Sequence, residues 1–529
     1  MSQDMVPLCT LFLALFLHFL GGRILSSSIY NKRTLSLVFV GLVAMSGCST
    51  DPEGTGGTTM TEDMSSTMQD ASSDQDMSTP DQTTADMQAD DMTSTPSDMS
   101  TDPGDMTSTP PDDMTTTPPD DMSTMPPVTT RCGALPAPEG TIVRVTPDQA
   151  DELPEIVANA TTGTTILLAD GVYKSSRQGE SARRMNFRTP GVTMRSESGN
   201  PEAVVIDGEY NTNEIISILA SDITIAELTI THAEDHLIHA TGNGSEDIEN
   251  TNLYRLILTD AGEQFIKVNP SGGEGVVDDG VLSCSYFELT DAGRPNIERA
   301  GGGCYTGGID AHAAQGWSVE DNEFVGIYCA GEGLAEHAIH FWRNSRDTIV
   351  RRNKIVNCAR GIGFGLNPPL ERRVYDDNPY PDAGGILEHI DGVIQNNTIF
   401  ADIAYYDTGI EIQHVRGARV EHNTVMSTES ATGFYTSIDY RFPVTQITLR
   451  NNIARRITRR NEGNATREGN LEAPPASIFV DLASGDLHLA SGASQAIDQG
   501  VMIEDVTEDI DGDERNDGAW DIGADEVTQ

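Results

Sequence analysis

The chain has 529 residues, a formal net charge of -49 and 37% hydrophobic residues. A surface that acidic repels nucleic-acid phosphates, which excludes nucleic acid as a partner. Polyanionic sugars face the same field unless a local basic patch or a bound cation reverses it. Composition divides the chain unevenly. Residues 51–130 carry 18 Asp/Glu and no Lys or Arg, whereas from Arg131 onward there are 63 acidic against 30 basic residues, a net -33.

The N-terminus holds two apolar runs, Val6–Leu20 and Leu35–Met45, each shorter than the ~20 residues of a membrane-spanning helix. The second follows Lys32-Arg33 and ends in small residues before Cys48, the layout of a secretory signal. Met45-Ser46-Gly47-Cys48 resembles the lipobox of bacterial lipoproteins. That implies a signal region over residues 1–47, cleavage before Cys48 and lipidation of its thiol. It also implies an extracytoplasmic protein at the outer membrane or cell surface, touching the membrane through the lipid alone. Residues 48–131 read as a disordered stalk. From Asp105 the eight-residue unit "DMTSTPPD" recurs, and so little apolar surface cannot offset chain entropy. Export permits disulfides. Five cysteines remain beyond Cys48 (Cys132, Cys284, Cys304, Cys329, Cys358), so at least one thiol is left over.

Residues 132–500 read as the folded domain. Val143–Tyr173 predicts a strand, a short helix within Asp148–Ala160 and a second strand, with Leu153, Ile156 and Val157 at helical spacing. A repeat follows, of the form aliphatic-x-x-Z-x-apolar. Its Z positions are Leu228, Leu256, Cys284, Asn322, Asn353, Asn397, Asn423 and Asn452, spaced 28, 28, 38, 31, 44, 26 and 29. A base period in the high twenties, with loop insertions and short β-branched runs broken by Gly, Asn and Asp, predicts a solenoid of stacked strands. The Asn column predicts a ladder of amides at a repeated bend. A monomer is expected.

Here the chain resembles the right-handed parallel β-helix proteins of the pectate lyase superfamily. The resemblance rests on the repeat, the strand-helix-strand cap, the Asn column and the tail "IFVDLASGDLHLASGASQAIDQG…DIDGDERNDGAWDIGADE". It implies an all-β right-handed parallel β-helix over 132–500, closed by an acidic segment over 501–529. In that tail Asp509, Asp511 and Asp513 alternate; an acidic closing turn is the first reading and calcium the alternative, although the spacing departs from an EF-hand.

A second triplet, Ile-X-apolar, recurs downstream of each Z strand. With strand alternation X faces outward. The X column is His239, Lys267, Asp310, His340, Gly363, Glu411 and Asp439; two residues on lie Thr241, Asn269, His312, Trp342, Gly365, Gln413 and Arg441. The residues two before X are mostly small, which predicts an open groove lined by titratable groups. The superfamily puts polysaccharide lyase and glycoside hydrolase chemistry on such a sheet. Catalytic candidates are Lys267, Asp310, His312, His340 and Glu411, with His239, Trp342, Asp439 and Arg441 as substrate-binding candidates. "GEQFIKVNPSG" around Lys267 resembles the acid-then-Lys segment of chondroitinase B-like lyases, which implies Lys267 as a base. His312 and His340 are alternative bases, and Asp310, Glu411 and Asp439 could form a hydrolase carboxylate pair or hold calcium. Seven Arg and Lys354 against Asp347 and Glu371 give Arg343–Arg373 a local charge of +6, and the insertion 367–385 is expected to overhang the groove. The expected partner is a carbohydrate polymer, with a non-catalytic glycan-binding adhesin or structural surface protein as the alternative.

Overall fold

The computed structural model describes residues 130–272, 274–297, 304–331, 333–366, 373–383, 385–428, 431, 436–515 and 518–527. The signal region, Cys48 and nearly all of the stalk lie outside them.

Each turn of the chain adds a strand to three parallel sheets in succession, for example Asn252–Tyr254, Ile257–Thr259 and Gln264–Asn269. The next turn lands in register, Leu253 on Leu282, Leu258 on Phe287 and Ile266 on Ile309. Among the described residues the sheets have 14, 11 and 10 strands, and the product is a parallel β-helix. Inward Ile, Leu, Val and Phe from all three sheets merge into one core, with Ile266, Ile309, Phe324, Ile339 and Ile362 fully buried. Strands this short need sharp corners. The corner before the second sheet is left-handed in every coil from Glu227 to Asn451, passing through Arg255, Cys284, Asp321, Arg352, Asn396 and His422 at φ between 49° and 57°. A non-glycine residue resists that conformation, so the stacked hydrogen bonds around it must hold it.

The predicted N-terminal elements form. Thr141–Val145 pairs in parallel with Thr164–Leu168, and between them a short helix, Leu153–Ala158, buries Leu153 and Val157 over the open end of the core. The C-terminal hairpin of Phe479–Asp481 and Asp486–Leu489 covers the outer face of the second sheet, packing Ile478, Phe479, Leu487 and Ile522 against Phe400, Met426 and Ile453. Asp509 is fully buried and accepts the backbone N–H groups of Asp511, Gly512 and Asp513 at 2.7–2.9 Å and of Glu526 at 3.0 Å. Its oxygens tie the closing turn, and Asp511 turns instead to His488, 2.9 Å away.

The amide ladder is present with two corrections. Leu282 aligns with Val319, so the slot in the third coil belongs to Ser285 rather than Cys284. Ser285 Oγ accepts the Leu256 N–H at 3.0 Å, and Ser285 N–H donates to Asn322 Oδ1 at 2.9 Å. The row continues through Asn353, Asn397, Asn423 and Asn452 and gains a further rung at Asn470. Cys284, one residue earlier, sits at the left-handed corner and is bonded to Cys132, closing a separation of 152 residues. A second disulfide joins Cys304 and Cys329, and Cys358 is the leftover buried thiol.

Candidate active site

The X column is a true register column. Lys267, Asp310, His340, Gly363, Glu411 and Asp439 stack one above the next on the third sheet. It is not an open groove. Lys267, Asp310, His312, His340, Trp342 and Glu411 expose only 8, 4, 9, 1, 4 and 2% of their surface, and Asp439 none. The small positions two before X do not leave space. The chain bends there, so Leu237 and Phe265 join the core. A Cβ on Gly308 would lie 2.2 Å from the Ala338 carbonyl oxygen, and one on Gly409 would lie 2.3 Å from Val425. Close packing demands those glycines.

The bend exposes a different outward position, three before X, which the sequence reading missed. His337 occupies it and reaches over Gly363 to Glu411 Oε2 at 3.0 Å. That explains the gap in the column, because a Cβ on Gly363 would meet the His337 ring at 2.7–2.8 Å. The available signal was a polar row, His236, Gln264, His337 and Arg360, in otherwise apolar strand starts.

Three groups result. In the lowest, His239 bridges Glu214 at 2.6 Å and Asn269 at 2.5 Å, with Arg184 also on Glu214 at 2.8 Å. The highest holds Glu411 and Asp439. Glu411 takes Gln413 at 2.8 Å and pairs with Arg441, which also reaches Asp439 at 2.9 Å; Arg460 holds the other Asp439 oxygen at 3.3 Å.

The central group joins three coils. Lys267 Nζ pairs with Asp310 Oδ2 and lies 3.3 Å from His312 Nε2 and 3.4 Å from the Tyr305 hydroxyl. His312 Nε2 is 3.0 Å from the same Asp310 oxygen, and Trp342 Nε1 donates to the other at 2.8 Å. Burial works against the Lys267 charge, but Asp310 and Tyr305 outweigh it and hold the ammonium above its ordinary pKa. Burial also opposes the Asp310 charge, yet Lys267 and His312 hold the carboxyl well below the usual range. Burial, then the Lys267 charge, pushes His312 down to about 4. Near neutrality the set is therefore an ammonium, a carboxylate and a neutral imidazole. Held as an ammonium beside Asp310, Lys267 has no lone pair to offer in this arrangement. Its pairing with Asp310 is a buried one. In the tautomer that donates Nε2–H to Asp310, His312 keeps its lone pair on Nδ1, an arrangement in which a carboxylate fixes tautomer and ring direction.

Trp342 is not an exposed sugar platform. Its indole stacks on His340 at 5.4 Å, meets His312 edge-on at 4.6 Å and lies under the Arg343 guanidinium at 4.9 Å. The basic excess is also absorbed locally. Arg351 and Arg352 pair with Glu320, Arg352 with Asp321, Lys354 with Glu323 and Arg346 with Asp377. Of the insertion, 367–372 and Gly384 lie outside the described residues. Arg373 reaches back to Asp278, a bidentate contact at 2.7 and 2.8 Å, and Tyr380 caps Asp391 at 2.8 Å.

No family model and no curated protein matches the chain. Solved structures similar to it include pectate lyase Pel9A, with 14% identity, 74% of this chain and 97% of that one covered and a TM-score of 0.44. An alginate lyase from Paenibacillus sp. shares 14% identity over 55% of this chain and 96% of its own, with a TM-score of 0.36. PfbA, a surface adhesin of Streptococcus pneumoniae, shares 10% identity over 61% and 86%, with a TM-score of 0.30.

Proposed function

We propose that this protein binds an acidic polysaccharide and removes the proton α to a uronate carboxylate, with His312 as the base. The observation that carries the reading is the Lys267–Asp310–His312–Tyr305 set. A proton next to a carboxylate is acidic enough to leave only if the developing enolate charge is met by fixed positive charge. Lys267 supplies that charge, buried where water screens it little. His312 Nδ1 takes the proton from C5. The C5–H electron pair forms the C4=C5 bond, the C4–O bond breaks, and Tyr305, with its pKa raised by burial, donates its hydroxyl proton to the leaving oxygen. Hydrolysis fits less well. A glycosidase acid must stay protonated near neutral pH; Asp310 is held ionised, and Asp439, which burial pushes up to about 6, is the carboxyl such a reading would use. Anchoring at the outer membrane through Cys48 belongs to the same proposal.

The full chain incubated with polyuronates is expected to give unsaturated ends, read by ultraviolet absorbance, and none from neutral glycans. New reducing ends without unsaturation would move the assignment to hydrolysis. Retention of glycans with no bond cleaved would favour an adhesin.

A further inference from the structure

Next to the central group stand two imidazole nitrogens that make no well-formed hydrogen bond. They are His337 Nδ1 and His340 Nδ1, both buried; each residue is 1% exposed. An imidazole nitrogen enclosed without a partner is costly. Their other nitrogens are engaged, His337 Nε2 by Glu411 at 3.0 Å and His340 Nε2 by the Gly365 carbonyl oxygen at 3.2 Å. That is how metal-ligating histidines are oriented. A carboxylate or carbonyl on one nitrogen fixes the tautomer and turns the other, unprotonated, toward the ion.

Glu336 supplies the carboxylate. Ligand atoms of Glu336, His337 and His340 all lie within 4.8 Å of one another. His340 Nδ1 is 3.8 Å from Glu336 Oε2 and 3.5 Å from Asp310 Oδ1. The first exceeds a hydrogen bond and the second lies at its outer limit. Tetrahedral bonds of about 2.0–2.2 Å place ligand atoms about 3.3–3.6 Å apart, so atoms within 4.8 Å of one another need only a small contraction to close on an ion.

We infer that Glu336, His337 and His340 form a binding site for a divalent transition metal of the zinc class, with Asp310 Oδ1 beside it as a further oxygen. Two imidazoles and a carboxylate select such an ion over calcium, which takes all-oxygen sites. Gly363 is part of the construction, since only a residue without Cβ lets the His337 ring lie across the strand. The site borders the sugar chemistry proposed above, with Asp310 common to both, and is tested without substrate.

The test strips the full chain with chelator and titrates Co²⁺ by visible absorption and Zn²⁺ by calorimetry. One equivalent of either ion is expected. Glu336→Gln, a change at a partly exposed side chain, should weaken binding at least tenfold while circular dichroism stays unchanged. Glu411→Gln, which removes the carboxylate that orients His337 and its charge opposite Arg441, should weaken it roughly 10-fold to 100-fold. His488→Ala removes another His/Asp cluster, with Asp511 and Asp525, and should change nothing. Absence of stoichiometric uptake, equal uptake by Glu336→Gln, loss of uptake in His488→Ala, or displacement of Co²⁺ by equimolar Ca²⁺ would each overturn the assignment.

Discussion

The corner between the first and second sheets and the outer face of the third sheet both stack polar side chains coil on coil. They satisfy them in opposite ways. At the corner each Asn does what its neighbour does: Asn397 Nδ2 donates to Val350 O at 3.0 Å and Asn423 Oδ1 at 2.9 Å, while its own oxygen takes the Asn353 N–H at 2.9 Å. On the third sheet Lys, Asp, His and Trp meet in one cluster, and beside it two ring nitrogens are left over. Repetition with every group paired is what a scaffold needs. Buried charge with unpaired ligand atoms is poor stability engineering and is the pattern expected of a site.

That contrast can be broken by mutation. Lys267→Met should have the largest effect, because it strands the Asp310 carboxylate in the interior, at a cost of roughly 3–5 kcal/mol in denaturant unfolding. Adding Asp310→Leu should recover most of the loss; additive losses would show that the two are not coupled. Next comes acid sensitivity. The folded pKa of His312, about 4, lies below its ordinary 6.5. Between those values the unfolded chain binds a proton that the folded chain refuses. Stability should therefore be full above pH 6.5 and fall as pH drops toward 4, by on the order of 3 kcal/mol from this group. His312→Gln should make that limb shallower in a melting-temperature profile, the remainder coming from His236, His337, His389 and His422, which burial also lowers. Asn397→Ala should cost about 2 kcal/mol, the desolvation penalty of a stranded backbone N–H, with no dependence on pH between 5 and 8, unlike the His312 limb. Trp342→Phe, which loses one hydrogen bond to Asp310, should cost about 1 kcal/mol.

Much of the fold was legible in the sequence because the coil period, the Asn column and the Ile-X-apolar triplet are each set by a repeated packing position. The slip at Cys284 arose because Val281 and Leu282 both satisfy an aliphatic pattern, and a one-residue shift exchanges the faces of a strand. The order of the X column was readable, but its exposure was not. Outward from one strand became buried in the whole chain, with Trp342 enclosed by His340, His312 and Arg343. His337 was missed because strict alternation hides a bend, and Tyr305 because nothing local marks a residue that meets Lys267 across 38 positions.

The proposal that His312 takes a proton from a uronate is tested most directly by exchange with solvent. A polyuronate is incubated with the full chain in D₂O and examined by NMR. The account predicts chemistry at C5, seen as unsaturated ends or as deuterium carried at that carbon, and its loss in His312→Gln with the melt at neutral pH intact. Sugars that stay protonated at C5 and uncleaved, or turnover undiminished in His312→Gln, would contradict it.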